Sequence, residues 1–464
     1  MSFASFAAGE SRTLLRLALP IMATQLAMVG MGTLDTVMSG YVSTLDLAGV
    51  AIGAAIWTPV WLFLAGLMVA LSSSVARANS AQRHDDVPKL LQAGIVLGLL
   101  WGTLLGLLLV LIGWGLPLWI EDKTSADVAM FYLLAIAPAF PSSGLFLALR
   151  FHAEALNEPG QVTRIMLTGL ALNVPLNFLF IHGITLGDVQ LLPALGGIGC
   201  GVASSVVFTF MALALLRNTR KRRLPVGFPL WQDVWSLEAS RKRSLMEMNR
   251  IGVPIGIALF FEVSLFTATA LFLTDLGPVV VAGHQVAINV SSITFMFPLS
   301  ISLALTVRVG HYLGMNDFAG ARYCALTGIG MNLVIALLNA SVIWLGADTI
   351  ASLYSPDPAV VAMGASLLVY AALFQIPDTI QVATAGALRA YEDTFAVMLI
   401  TFVAYWVIGF CSGWYLAYLR DEPLGAAGFW IGLIIGLTAA AVALITRLRI
   451  VGQRHIRAAQ TAAA

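Results

Sequence analysis

Twelve long apolar runs divide the chain, at 13–40, 46–75, 90–120, 128–149, 160–182, 191–216, 251–274, 280–307, 323–346, 362–388, 395–418 and 425–446. Each reaches the length, about 20 residues, that a helix needs to cross a bilayer core. Glycine, proline and tryptophan occur freely inside them, which membrane helices tolerate. The pattern predicts an all-α polytopic membrane protein with twelve transmembrane helices. One polar stretch is long. Residues 217–250 carry Arg217, Arg220, Lys221, Arg222 and Arg223, followed by Leu230, Trp231, Val234 and Trp235 at helical spacing. This connector is expected to be cytoplasmic and to hold a short interfacial helix.

The apolar runs repeat. Ala18-Leu19-Pro20-Ile21 matches Gly252-Val253-Pro254-Ile255 at an offset of 234, and the same offset sets residues 48–52 on 282–286 and Glu158 on Glu392. Near the end the offset is 229, where 195–199 meets 424–428. A constant offset across several spans points to a duplication. With six helices per copy, both copies enter the membrane from the same side, which makes the repeats parallel. The expected organisation is a lobe over 1–216, the connector 217–250 and a second lobe over 251–464, with a cavity between the lobes.

Composition agrees. The 464 residues are 59% hydrophobic and only 11% charged, against about 25% charged in a soluble protein. The net charge of +1 gives no basis for a nucleic-acid partner. All but Lys123 and Arg420 of the 25 basic residues fall on one side if the spans alternate. The positive-inside rule then puts both termini in the cytoplasm, with the first span serving as an uncleaved insertion signal. Cys200, Cys324 and Cys411 match no metal or disulfide spacing.

Charge inside the spans narrows the chemistry. Glu262 stands at the midpoint of 251–274 with no lysine or arginine within a helical turn, and Asp35 and Asp378 are the other acids inside spans. An ionisable group at that depth costs at least ~2.5 kcal/mol and faces a protein interior or a watery cavity. Function is favoured over a permanently protonated structural acid. Asp46, at the start of the second span, reads as an interfacial cap. Met28, Met31 and Met38 share the approximate face of Asp35 and fit an adaptable apolar lining or ordinary core. Pro377 cannot donate to the carbonyl of Leu373, which leaves a carbonyl beside Asp378 as a half-site for Na⁺ or a protonated water. Phe374, Gln375 and Gln381 face the same way as Asp378. Asn173 and Asn177 flank Pro175 and suit either helix–helix hydrogen bonds or a substrate contact. No lysine or arginine is read as lying deep within the spans. The histidines are dispersed and no Walker sequence is present, which speaks against a membrane-embedded enzyme and ATP drive.

These residues meet a family. Gly32-x-x-Asp35-Thr-Val-Met-Ser-Gly40, Phe261-Glu-Val-Ser264, Ala282-Gly-His-Gln-Val-Ala-Ile-Asn289, Pro377-Asp-Thr-Ile-Gln381 and Ala387-Leu-Arg-Ala-Tyr-Glu-Asp-Thr394 together resemble the multidrug and toxin extrusion (MATE) family, in its bacterial NorM-type branch. The resemblance covers essentially the whole chain. It implies two six-helix lobes that alternate access, in a bacterial inner membrane, exporting cationic amphipathic drugs or dyes in exchange for H⁺ or Na⁺. Glu262 and Asp378 match the family's cation-binding acids, with Na⁺ as a possible ligand, and Asp35 the first-lobe acid of proton or substrate coupling. Phe374 stands where some relatives have a tyrosine near the cation. No organic cofactor is expected, and the expected assembly is a monomer. A lipid-linked sugar flippase of the same superfamily is the alternative, and would be expected to have cationic residues in its cavity.

Overall fold

Apolar runs long enough to cross a bilayer leave the backbone only one way to satisfy its polar groups, and most of the chain is helical accordingly. The computed structural model describes residues 3–120, 122–186, 189–223 and 239–463. The helices are α1 Phe3–Gly40, α2 Thr44–Ser80, α3 Asp86–Trp119, α4 Lys123–Ile136, α5 Ala139–Ala155, α6 Pro159–His182, α7 Ile198–Arg223, α8 Ala239–Phe272, α9 Pro278–Gly314, α10 Phe318–Leu345, α11 Ala347–Tyr354, α12 Pro358–Ala390, α13 Thr394–Phe402, α14 Cys411–Trp414 and α15 Ala426–Ala463. Among the described residues, eleven helical spans are long and apolar enough to cross a membrane, or twelve if the bent pair α4 and α5 counts as one span. A short hairpin, Ile184–Leu186 with Val189–Leu192, joins α6 to α7. Residues 217–223 belong to α7 and 239–250 to α8. The interfacial helix expected around Leu230, Trp231, Val234 and Trp235 lies outside the described residues.

Two spans depart from plain helices. The run 128–149, expected as one helix, is broken between α4 and α5 with a bend of 47°. Pro138 sits at the break, where it supplies no N–H. The run 395–418 is interrupted by two π-helical stretches, Val403–Phe410 and Tyr415–Leu419, on either side of α14. Close backbone contact is also built in by glycine. A Cβ on Gly144 would lie 1.9 Å from the carbonyl oxygen of Gly98, so α3 and α5 touch backbone to backbone.

The duplication is written in the backbone. Helix ends at Gln82 and Asn316, 234 apart, and at Asn157 and Glu392, 235 apart, carry left-handed residues with φ between 59° and 61°. Gly196 and Gly425, 229 apart, share φ values of 58° and 56°. The C-terminal closures correspond too. Arg83 N donates to Ala78 O (3.0 Å) and Asp317 N to Tyr312 O (2.9 Å). Glu158 N donates to Ala153 O (2.9 Å) and Asp393 N to Leu388 O (3.2 Å). These six-residue closures take up carbonyls that a helix end leaves free. The cap of α2 is Ser43, whose Oγ accepts from Asp46 N at 2.9 Å, and Asp46, read as the cap, instead sits in the first turn and accepts from Gly197 N at 2.6 Å and from Ser43 Oγ.

The packing divides into two units, Met1–Met22 with Ile257–Ala464, and Ala23–Gly256. Both divisions fall inside the first helix of a repeat, in α1 and in α8, 234 residues apart. The start of α1 thus counts with the second-lobe helices, a departure from a lobe running from residue 1. Within that unit Glu10 accepts from Arg308 Nε (2.8 Å) and Nη2 (2.9 Å) and from Tyr312 Oη (2.8 Å). Within the other, the start of α8 packs on first-lobe helices. Asn249 Oδ1 accepts from Trp101 Nε1 at 3.0 Å, and a Cβ on Gly252 would meet Leu67 O at 2.3 Å.

Candidate functional site

The two units treat their intramembrane acids in opposite ways. In the unit Ala23–Gly256, Asp35 is buried and saturated. Its Oδ1 accepts from Asn177 Nδ2 (2.6 Å) and Asn173 Nδ2 (3.3 Å), and its Oδ2 from Ser204 Oγ (2.8 Å). Asn173 and Asn177 stand one turn apart on α6, so one helix face presents both amides. Asn177 Nδ2 also reaches Asn173 Oδ1 at 3.1 Å. The two asparagines therefore make the helix–helix bonds that were one of their two readings, and their partner is the acid. Met31 is buried on the stripe of Asp35, while Met28 and Met38 are partly exposed beside it.

In the other unit, Glu262 on α8 and Asp378 on α12 lie within electrostatic reach of each other. Asp378 is buried and Glu262 keeps part of its surface open. Among the described residues neither carboxyl group makes a hydrogen bond or a close ion pair. Their surroundings are polar and incompletely paired. Gln375 gives its amide N–H to Thr294 Oγ1 at 2.9 Å, yet Gln375 Oε1, Gln381 Oε1, Tyr405 Oη, Trp430 Nε1 and both ring nitrogens of His284 are buried without a partner. Such an atom costs about 1–3 kcal/mol when left unmade, so this many in one unit is unusual for a purely structural interior. Phe374 is buried with its ring edge-on to Trp430 and Phe266, at 5.8 and 6.0 Å.

One helix proline has its orphaned carbonyl taken up by an asparagine. Pro298 cannot donate to Thr294 O, and Asn339 Nδ2 takes that carbonyl at 3.3 Å. Asn332 Nδ2 reaches Pro298 O and Thr379 O, at 3.3 and 3.5 Å, and so ties α9 and α12 to α10.

Four charged residues escaped the sequence reading. Arg389 is buried at 6% exposure in the last turn of α12 and lies within electrostatic reach of Glu262. Asp378 and Arg389 share a face of α12, three turns and about 16 Å apart by helix rise, and Glu262 is in reach of both. The expectation of spans without a buried base is corrected here. Arg150 is buried as well, donating from Nε to Glu154 (2.8 Å) and from Nη2 to Gln25 (2.7 Å). Glu154 and Glu10 join the buried acids. Because each lies near a predicted span end, they look like interfacial charges. For Arg150 and Glu154 the i, i+4 spacing was the available signal.

The comparisons agree with this architecture. The MatE family model matches the chain twice, over residues 20–179 and 254–415, with starts 234 apart. The chain is 40% identical over 444 residues to the Multidrug resistance protein NorM of Vibrio cholerae, and 39% identical over 449 residues to that of Photobacterium profundum; each match covers 95% of both chains. Its fold is similar to an outward-facing multidrug resistance transporter of the MATE family (TM-score 0.85, 18% identity, 98% of this chain and 99% of that one). It is also similar to a eukaryotic MATE transporter (TM-score 0.83, 20% identity, 97% and 100%). A family model that recurs at the chain's own repeat distance, and relatives matched along nearly their whole length, make this chain a member of the MatE family, of the NorM type.

Proposed function

We propose that the chain is a secondary active multidrug exporter. It releases cationic amphipathic compounds from the cell in exchange for H⁺ or Na⁺, by alternating access of its two lobes. The observation that carries this reading is the pair Glu262 and Asp378, two carboxyl groups without hydrogen bonds beside several unpartnered polar atoms. A carboxyl group with free lone pairs can take a cation and give it up, whereas one saturated like Asp35 holds its donors. Asp35 is assigned to coupling through the network of Asn173, Asn177 and Ser204, whose donors must rearrange when it gains a proton. Met28, Met31, Met38, Phe374, Gln375 and Gln381 are assigned to the drug path. A cation crossing the membrane potential supplies about 2.3 kcal/mol per charge per 100 mV, which drives the export step. The protein works as a monomer in the bacterial inner membrane, with both termini in the cytoplasm.

The test is drug efflux from proteoliposomes with Na⁺ and H⁺ gradients imposed separately. Glu262→Gln and Asp378→Asn keep size and remove the exchanging charge. They are expected to insert and fold near normally and to lose gradient-driven export. Wild-type turnover in both variants sinks the mechanism and leaves the fold untouched.

A further inference from the structure

Tyr405 is a polar residue of the second-lobe interior that no sequence motif singles out. It is 1% exposed and, among the described residues, its hydroxyl has no hydrogen-bond partner. It packs in one core with Leu265 and Phe374, which stand one turn from Glu262 on α8 and from Asp378 on α12, and with Trp430 of α15. Its chain neighbour Trp406 donates from Nε1 to the carbonyl of Phe261, next to Glu262, at 3.2 Å. The rings of Phe261 and Phe402 meet at 4.9 Å. These contacts pin the segment of Tyr405 against the segment of Glu262. The charged groups within reach of the phenol are Glu262, Asp378 and Arg389. The segment is also irregular. Tyr405 lies in the π-helical stretch Val403–Phe410, and single π turns often mark functional positions because the extra residue re-aims side chains.

We propose that the Tyr405 hydroxyl is the neutral oxygen ligand of the second-lobe cation site, holding a small monovalent cation, Na⁺ or a protonated water, together with Glu262 and Asp378. This rests on the reading of those two acids as the exchanging carboxyl groups. Two carboxylates and the guanidinium of Arg389 carry a net charge of −1, which one monovalent cation balances. A hard cation takes oxygen ligands. Phe374 offers a ring and no oxygen, whereas Tyr405 holds a buried hydroxyl that has no partner among the described residues.

Tyr405→Phe removes the hydroxyl and keeps the ring. The probe is ethidium efflux from proteoliposomes, measured against Na⁺ at symmetrical pH and against an imposed pH gradient without Na⁺. In the arm that drives the wild type, the half-saturating cation should rise about tenfold, the effect of one lost ligand bond. The maximal rate and the half-saturating ethidium concentration should stay near wild type. An unchanged cation dependence overturns the proposal, as does a fall in maximal rate alone, which a merely structural hydroxyl would give. As a check independent of the variant's folding, the ¹⁹F resonance of 3-fluorotyrosine at position 405 should move when the driving cation is added; a fixed resonance overturns the assignment. Inactive Glu262→Gln and Asp378→Asn beside an unaffected Tyr405→Phe would remove this inference alone, whereas active acid variants would remove the reading beneath it.

Discussion

Asn177 donates from Nδ2 to Asp35 Oδ1 at 2.6 Å, across 142 residues of sequence. This is the shortest of three donor contacts to a buried acid. A neighbouring amide, Asn173, reaches the same oxygen at 3.3 Å. The first-lobe acid is therefore positioned by α6 as firmly as by its own helix.

Asn177→Ala removes that donor and leaves Asp35 with Asn173 and Ser204. A hydrogen bond to a charged group contributes about 1.5–3 kcal/mol. The variant should melt several degrees lower in detergent and lose export. Ser204→Ala should weaken both less, because the shorter contact remains. Thermal unfolding alongside efflux measures this, and a wild-type melting temperature in Asn177→Ala counts against the network.

The fork of Arg308 on Glu10 makes a second stability prediction. Removing one partner of a largely buried pair strands the other, at a cost of about 3 kcal/mol. Arg308→Ala should unfold at lower temperature than wild type. Arg308→Lys should fall between, because a lysine cannot supply the two parallel donors. Indistinguishable unfolding of Arg308→Ala and wild type refutes the assignment.

Glycine at the α3–α5 contact is a steric prediction. A Cβ on Gly144 would fall 1.9 Å from Gly98 O, against rigid backbone. Gly144→Ala should give little monodisperse protein by size-exclusion chromatography. Gly330, on an open helix face with nothing within 4 Å of an added Cβ, is the control. Gly330→Ala should be neutral or stabilising by about 0.5–1 kcal/mol, through reduced freedom of the unfolded chain.

Topology follows from charge. Cys411 is the exposed native thiol, with Cys200 and Cys324 buried. In a Cys411→Ser background, Lys123→Cys should react with an impermeant thiol reagent from outside the cell, and Gln453→Cys only after access to the cytoplasm. Labelling of both from one side refutes the twelve-span topology.

The correction at Arg389 bears on substrate charge. Acids without a base would favour cationic drugs by simple attraction, but Arg389 offsets one of the two second-lobe carboxylates. Cation preference should then rest on Asp35, Glu262 and Asp378 against one guanidinium. Arg389→Gln should increase the preference for ethidium over an anionic dye of similar size in paired efflux assays. An unchanged ratio would place Arg389 outside the drug's field.

Hydropathy settled the spans because crossing a bilayer is a local demand. About 20 apolar residues in a row satisfy it wherever the rest of the chain goes. The repeat was legible for a similar reason. The turns at Gln82 and Asn316, and at Asn157 and Glu392, each hold a left-handed residue, 234 and 235 positions apart, so the offset holds to within one residue even where identities do not. The motifs around Asp35, Glu262 and Asp378 carried the family.

What the acids do in the fold was beyond that reading. Asp35 and Asp378 look alike in sequence, each a lone acid in an apolar run. Only the tertiary structure gives Asp35 three donors from residues 138 to 169 positions away and leaves Asp378 without one among the described residues. The same holds for Arg389 and Glu10, whose places near predicted span ends suggested solvent, and for Tyr405, one aromatic among many in its span. A side chain's burial and partners depend on which helices pack against its face. A window of sequence fixes whether a helix forms and crosses; it carries no record of the neighbours that decide whether a carboxyl group is held or free.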